Sequence, residues 1–163
     1  MIRKVRLSDA EDIVEIYNYY IENTIITFEL SKIDSDEERN RIKKILDYHY
    51  PFIVYEEQGK VLGYAYLSKW RERVAYNNTL ETSVYIHKDY CNKGLGSKLY
   101  KELIESGKKQ GAHVLIGGVS IPNPQSEKLH EKTGFERVGT FKEVGYKFGK
   151  YIDVEFWQLN INP

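Results

Sequence analysis

The stretch Tyr90-Cys91-Asn92-Lys93-Gly94-Leu95-Gly96-Ser97-Lys98-Leu99-Tyr100 sits at a joint. Upstream, TLETSVYIH alternates apolar and polar residues over Thr79–Ile86, as a half-buried strand does. Downstream, Leu99, Leu103 and Ile104 recur at helical spacing over about residues 95–110, and Gly111 suits a helix stop. A tight strand-to-helix turn needs one glycine, and two glycines around a leucine suit close approach of something to the backbone. Three readings compete. The glycines can simply permit the turn. They can belong to a dinucleotide fingerprint, but a third glycine is missing and no opening βαβ unit surrounds the segment. Or Asn92, Lys93, Gly94, Leu95, Gly96 and Ser97 can cradle a pyrophosphate. In that case free N–H groups and the helix dipole face the anion, and Lys93 adds a cation. The Gly-Lys-Ser/Thr ending of a nucleotide P-loop is absent.

Working outward, 163 residues suit one domain with one core, read here as residues 1–163. Lys+Arg and Asp+Glu both number 24, and zero net charge argues against a general nucleic-acid or anionic-membrane binder. No apolar run has the length of a membrane span, and the N-terminus MIRKVRLSDAED lacks a signal-peptide core. Cys91, the one cysteine, permits no internal disulfide and fits a reducing cytosol. Four scattered histidines and one cysteine make no metal cluster. Fourteen tyrosines suit half-buried surfaces such as a cleft or a subunit interface.

Periodicity predicts strands at 2–7, 52–55, 61–67, 79–86, 114–119, 135–144 and 152–159. Helices are expected at 10–22, behind a 35–38 capping box, at 95–110 and at 125–133. Ser8–Glu11 has capping-box spacing too. Residues 23–33 read as irregular. The order β, α, α, β, β, β, α, β, α, β, β indicates an α/β (α+β) sandwich with a mixed sheet, not a regular doubly wound alternation.

After the next strand, NPQSEKLHEKTGF carries Asn123 and, seven residues on, His130. With Asn92-Lys93-Gly94-Leu95-Gly96, this resembles the GNAT superfamily of N-acetyltransferases. Its pyrophosphate motif is Gln/Arg-x-x-Gly-x-Gly/Ala, and Cys91 departs from that pattern at the first position. The segments IYNYYIENT, WRERVAY, LETSVYIH, NKGLGSKLY, KLHEKTGF and VGYKFGKYIDVEFWQ together look like the phosphinothricin and methionine-sulfone N-acetyltransferases, in order and over nearly the whole chain. The resemblance implies a GNAT fold, acetyl-CoA as acetyl donor, a small amino-acid-like amine as acceptor, and a cytoplasmic homodimer.

Acetyl transfer needs an amine that has lost its proton, a stabilised thioester oxygen and a protonated leaving thiolate. An α-amino group with a pKa of roughly 8 is mostly ammonium at neutral pH. By resemblance Glu81 is the base, alone or through a water, and His130 the proton donor where relatives outside this family often use tyrosine. The resemblance also implies that Val84, Tyr85 and Ile86 are cofactor contacts on a strand that splays from its neighbour, and that Asn123 meets the pantetheine amides. It further implies that Arg71 and Arg73 hold the acidic or sulfone-bearing end of the acceptor, with Phe28 beside it; arginine forks suit such oxygens. Lys147 and Tyr151 are candidate cleft residues. Read without the resemblance, Glu81 is a solvent-facing strand residue, His130 a half-buried helix histidine and Asn123 a turn residue. The arginines are then surface ion pairs and Phe28 core. Other functions stay open: acetylation of a polyamine or a protein N-terminus, a non-catalytic CoA-binding module, or a plain structural domain.

Overall fold

The computed structural model describes residues 1–162. In chain order it contains β1 (Ile2–Lys4), α1 (Ala10–Asn23), α2 (Ser35–Asp47), β2 (Phe52–Glu57), β3 (Lys60–Lys69) and β4 (Thr79–Ile86). Then come α3 (Leu95–Lys109), β5 (Val114–Ser120), α4 (Pro124–Lys132), β6 (Glu136–Lys147) and β7 (Lys150–Asn160). The strands form one seven-stranded sheet in the order β1-β2-β3-β4-β5-β7-β6. Every pairing is antiparallel except β4 with β5, so the sheet is mixed and the expected element order holds.

Side chains alternate across a strand, so the register sorts them into two cores. Ile53, Ala65, Leu67 and Leu80 face α3, where they pack on Leu99, Tyr100, Leu103 and Ile104. Phe52, Val54 and Tyr64 face α1 and α2, against Ile13, Ile16, Tyr20 and Ile42. Each leucine, isoleucine, valine or phenylalanine among them, fully buried, contributes about 1.5–3 kcal/mol of transfer free energy.

Three local expectations shift. β1 ends at Lys4, because Leu7–Asp9 already turns as a short 3-10 segment. The Ser8–Glu11 spacing does not cap α1; the Asp9 carboxylate instead accepts from the Arg6 N–H at 2.7 Å and from the Arg3 guanidinium at 2.8 Å. In α2 the cap moves one residue back, to Asp34, whose Oδ1 accepts from the Glu37 N–H at 2.8 Å. Its extended backbone leaves Ser35 as the first helical residue.

The feature that positions the site is an interrupted pairing. β4 and β5 meet only through Thr79–Val114, Leu80–Leu115 and Glu81–Ile116. Beyond Glu81 the two strands diverge, although β4 runs on to Ile86 and β5 to Ser120. β5 is held on its other side by β7 along its whole length. The sheet therefore opens a slot between β4 and β5 without losing its edge pairings.

Candidate active site

The glycine joint closes one end of the slot. Gly94 is the N-cap of α3 with φ +80°, a left-handed conformation that a Cβ would strain. The first intrahelical backbone bond runs from the Lys98 N–H to the Gly94 carbonyl, so the N–H groups of Leu95, Gly96 and Ser97 have no helical acceptor. Asn92 is also left-handed, and its Oδ1 accepts from Gln125 Nε2 at 2.7 Å, which ties this turn to the start of α4. A cavity runs from here along Val84, Tyr85 and Ile86 and is closed by Asn123, Ser126 and Leu129. Gly96 lines this cavity, and a Cβ there would make only ordinary contacts, 3.8 Å to Ile86 and 4.0 Å to Leu129. A chain of bare N–H donors followed by a narrow apolar slot fits a pyrophosphate with a thin amide-bearing arm.

The sequence expectations for this half meet in one place: Val84, Tyr85, Ile86, Asn92, Gly94, Leu95, Gly96, Ser97 and Asn123 all line the cavity. Asn123 is the N-cap of α4, its Oδ1 accepting from the Ser126 N–H at 3.3 Å. Lys93 projects outward, its Nζ 4.7 Å above the Tyr90 ring. Cys91 lines the cavity as a free thiol, 3.7 Å from the Tyr20 hydroxyl. That hydroxyl donates to the Ile86 carbonyl from α1, a contact that sequence periodicity could not expose.

A second cavity lies at the divergence point, lined by Phe28, Glu81, Val84, Tyr100, His130 and Phe156 among others. Glu81 enters from the α1/α2 side of the sheet. Burial raises its carboxyl pKa above the ordinary glutamate range, and the Arg71 charge partly opposes this. Gly118 faces it, where a Cβ would come within 3.8 Å of Glu81 Oε1. Tyr100 and His130 enter from the α3/α4 side. His130 is 4% exposed, and burial holds its imidazole pKa below the usual value. Its Nδ1 donates to the Ser126 carbonyl at 2.7 Å, so Nε2 is the acceptor for the Tyr100 hydroxyl at 2.8 Å. Tyr100 in turn accepts from Thr82 Oγ1 at 2.7 Å. Gly117 makes the imidazole possible, since a Cβ there would overlap Nε2.

Tyr100 and Thr82 were not among the expected site residues. In sequence Tyr100 is one more apolar position on α3 and Thr82 one more inward strand residue. Only the placing of α3 and α4 on the same face of the sheet, over β4 and β5, brings them to His130.

The arginines stand apart from the enclosed cavities. Arg71 is exposed, stacked 4.8 Å from the Trp70 ring and near enough to Glu81 for its charge to act there. Arg73 is exposed at the start of the Val74–Tyr76 turn. Phe28 lines the Glu81 cavity from the 24–33 loop. Lys147 is buried, its Nζ donating to the Thr27 carbonyl at 2.8 Å, whereas Tyr151 is exposed and packs on Tyr146.

Residues 2–156 match the family described as "Acetyltransferase (GNAT) domain". The chain is 36% identical to a phosphinothricin N-acetyltransferase of Streptomyces viridochromogenes, over 96% of this chain and 85% of that protein. It is also 36% identical to an L-methionine sulfoximine/L-methionine sulfone acetyltransferase of Pseudomonas paraeruginosa, over 99% of this chain and 95% of the other. Among solved structures, an acetyltransferase of Salmonella typhimurium with its cofactor acetyl-CoA superposes with a TM-score of 0.97 at 34% identity. That match covers 99% of this chain and 94% of the other.

Proposed function

The chain belongs to the GNAT acetyltransferase family, and from that membership we propose that it is an acetyl-CoA-dependent enzyme acetylating the α-amino group of a small amino acid. The proposed acceptors carry an acidic or oxidised-sulfur side chain, of the phosphinothricin, methionine sulfone or methionine sulfoximine type. The observation that carries this reading is the slot opened beyond Glu81, with helix-start N–H donors at one end and a half-buried carboxyl at the other.

The residues divide the work by side of the sheet. The N–H groups of Leu95, Gly96 and Ser97 bind the pyrophosphate, and Val84, Tyr85, Ile86 and Asn123 line the arm. Bound there, acetyl-CoA supplies an activated carbonyl. Glu81, its pKa raised by burial, takes a proton from the acceptor ammonium on the α1/α2 side. A backbone N–H on the unpaired part of β4 faces the carbonyl oxygen. On the opposite side, once His130 holds a second proton at Nε2, the bond to Tyr100 reverses: the Tyr100 hydroxyl gives its proton to the thiolate and takes the Nε2 proton in its place, which leaves the neutral imidazole seen here. Arg71, whose charge acts at Glu81, and Arg73, exposed two residues on, are proposed to take the acceptor's carboxylate or side-chain oxygens. This cationic rim disfavours a polyamine.

The single domain spanning 1–163 is proposed to work in the cytoplasm, where Cys91 stays reduced, as a homodimer. The support for pairing is β6, an edge strand with Val138 64% and Phe141 59% exposed. These residues join Trp70, Ile116 and Phe156 in an uncovered apolar groove.

A thiol-release assay with acetyl-CoA tests the reading. The acceptor panel is methionine sulfone, methionine sulfoximine, phosphinothricin, the common amino acids and spermidine. Turnover on the sulfone, sulfoximine or phosphinyl amino acids is expected. Turnover on spermidine alone would overturn the acceptor class, and acetyl-CoA binding with no turnover would favour a binding module.

A further inference from the structure

The wall of the Glu81 cavity formed by Ile26, Thr27 and Phe28 belongs to a loop without regular structure. Such a wall needs anchors, and the structure supplies them at both ends. Asn18 on α1 pairs with the backbone of Ile33 in both directions, at 3.0 Å each. Tyr17, also on α1, bonds Thr27 Oγ1 at 2.8 Å. The remaining anchors come from the far end of the chain, the β6–β7 hairpin. Lys147, 3% exposed, reaches the Thr27 carbonyl across 120 residues of sequence. One residue along, the outer end of the Phe28 ring lies against Gly145.

That last contact explains a glycine. Gly145 is not left-handed, so its backbone would accept an alanine. What a side chain would meet is Phe28: an added Cβ would overlap Cζ and Cε2 and stand 3.0 Å from Cε1, so the ring would have to shift. Phe28 is 38% exposed, so the ring is held by the hairpin and not by immersion in a core.

We propose that Gly145 and Lys147 determine acceptor specificity, by fixing the 26–28 wall and hence the room available for the acceptor side chain beside Glu81. The proposal rests on the reading of that cavity as the acceptor site and goes beyond it, since neither residue is assigned a role in the chemistry. The hairpin acts as a gauge: its glycine seats the ring, and its lysine stops the loop from drifting. The ligand whose fit they set is an α-amino acid, with the discrimination falling on side-chain bulk.

The test compares wild type with Gly145→Ala, Lys147→Met, Phe28→Ala and the Phe28→Ala/Gly145→Ala double variant. Each is assayed for kcat and KM on methionine sulfone and on bulkier and slimmer amino acids, and for CoA binding by calorimetry. Gly145→Ala and Lys147→Met should each change the bulky-to-slim ratio of kcat/KM by roughly tenfold. CoA affinity should stay within about twofold of wild type, because these residues lie outside the helix-start half of the slot. The double variant should match Phe28→Ala alone, since without the ring the added methyl meets nothing. The proposal is overturned if the ratio is unchanged in Gly145→Ala and Lys147→Met, if CoA affinity falls in step with acceptor use, or if the two substitutions act additively. Wild-type protein that transfers acetyl to no amino acid removes the functional reading and this proposal together; active wild type with an unaltered ratio in the variants removes the proposal alone.

Discussion

For Glu81, the proposed base, burial also sets the pH response. A raised pKa places the acid limb of kcat/KM above the ordinary glutamate range. Glu81→Gln is expected to lower kcat by about 100-fold or more and to erase that limb, while CoA binding persists. Arg71→Gln removes a charge that favours the carboxylate, so the limb should move to higher pH, and acceptor KM should rise with it. A limb unmoved by Arg71→Gln would show that the two groups are uncoupled in solution. Across the slot, Tyr100 and His130 share one hydrogen bond. Tyr100→Phe and His130→Gln should each cost about tenfold or more in kcat, and the double variant little more than either. Full additivity in steady-state rates would separate their roles.

At the scale of elements, α2 carries a liability. Glu38 is buried against the sheet near Tyr64 and Tyr66, and burial pushes its carboxyl up to about 7. The folded state therefore binds a proton that the unfolded chain, with an ordinary glutamate, releases near pH 4.5. Stability from this group is complete below that pH and is lost as pH rises towards 7. Glu38→Gln should stabilise the protein by about 1–3 kcal/mol at pH 8, with the gain vanishing near pH 4. Denaturant melts at the two pH values check this, and an equal effect at both would refute it. His130 carries the opposite sign. Its depressed folded pKa means that stability present above the ordinary imidazole value is lost as pH falls through it. On β5, the adjacent Gly117 and Gly118 serve opposite faces, one clearing the imidazole and the other the space before Glu81. Periodicity reads this strand correctly and is blind to that division.

At the scale of the whole molecule, the two helical layers cover β1 to β5 unevenly, and the outer face of β6 stays apolar and open. Exposed edge strands of this kind invite pairing. Phe141→Glu should convert the proposed dimer to a monomer in sedimentation velocity; a wild-type chain already monomeric at micromolar concentration would refute the proposal.

Much of this protein was legible in the order of its residues. Element order follows from local periodicity, and the Gly94–Gly96 joint is legible as a candidate anion-binding turn because backbone conformation and free N–H groups are local properties. The two faces of β4 are legible for the same reason, since alternation needs no partner. The cap of α2 falls at Asp34 and not at Ser35 because both side chains can accept from a helix-start N–H, and only the extended backbone at Asp34 selects between them. What tertiary structure alone decided are contacts between segments far apart in sequence. These are the point where β4 leaves β5, the Thr82–Tyr100–His130 chain, and the hairpin that seats Phe28 on Gly145 and Lys147 on Thr27. Each depends on how twisted strands and packed helices bring separate stretches together, and no local pattern in the chain encodes that distance.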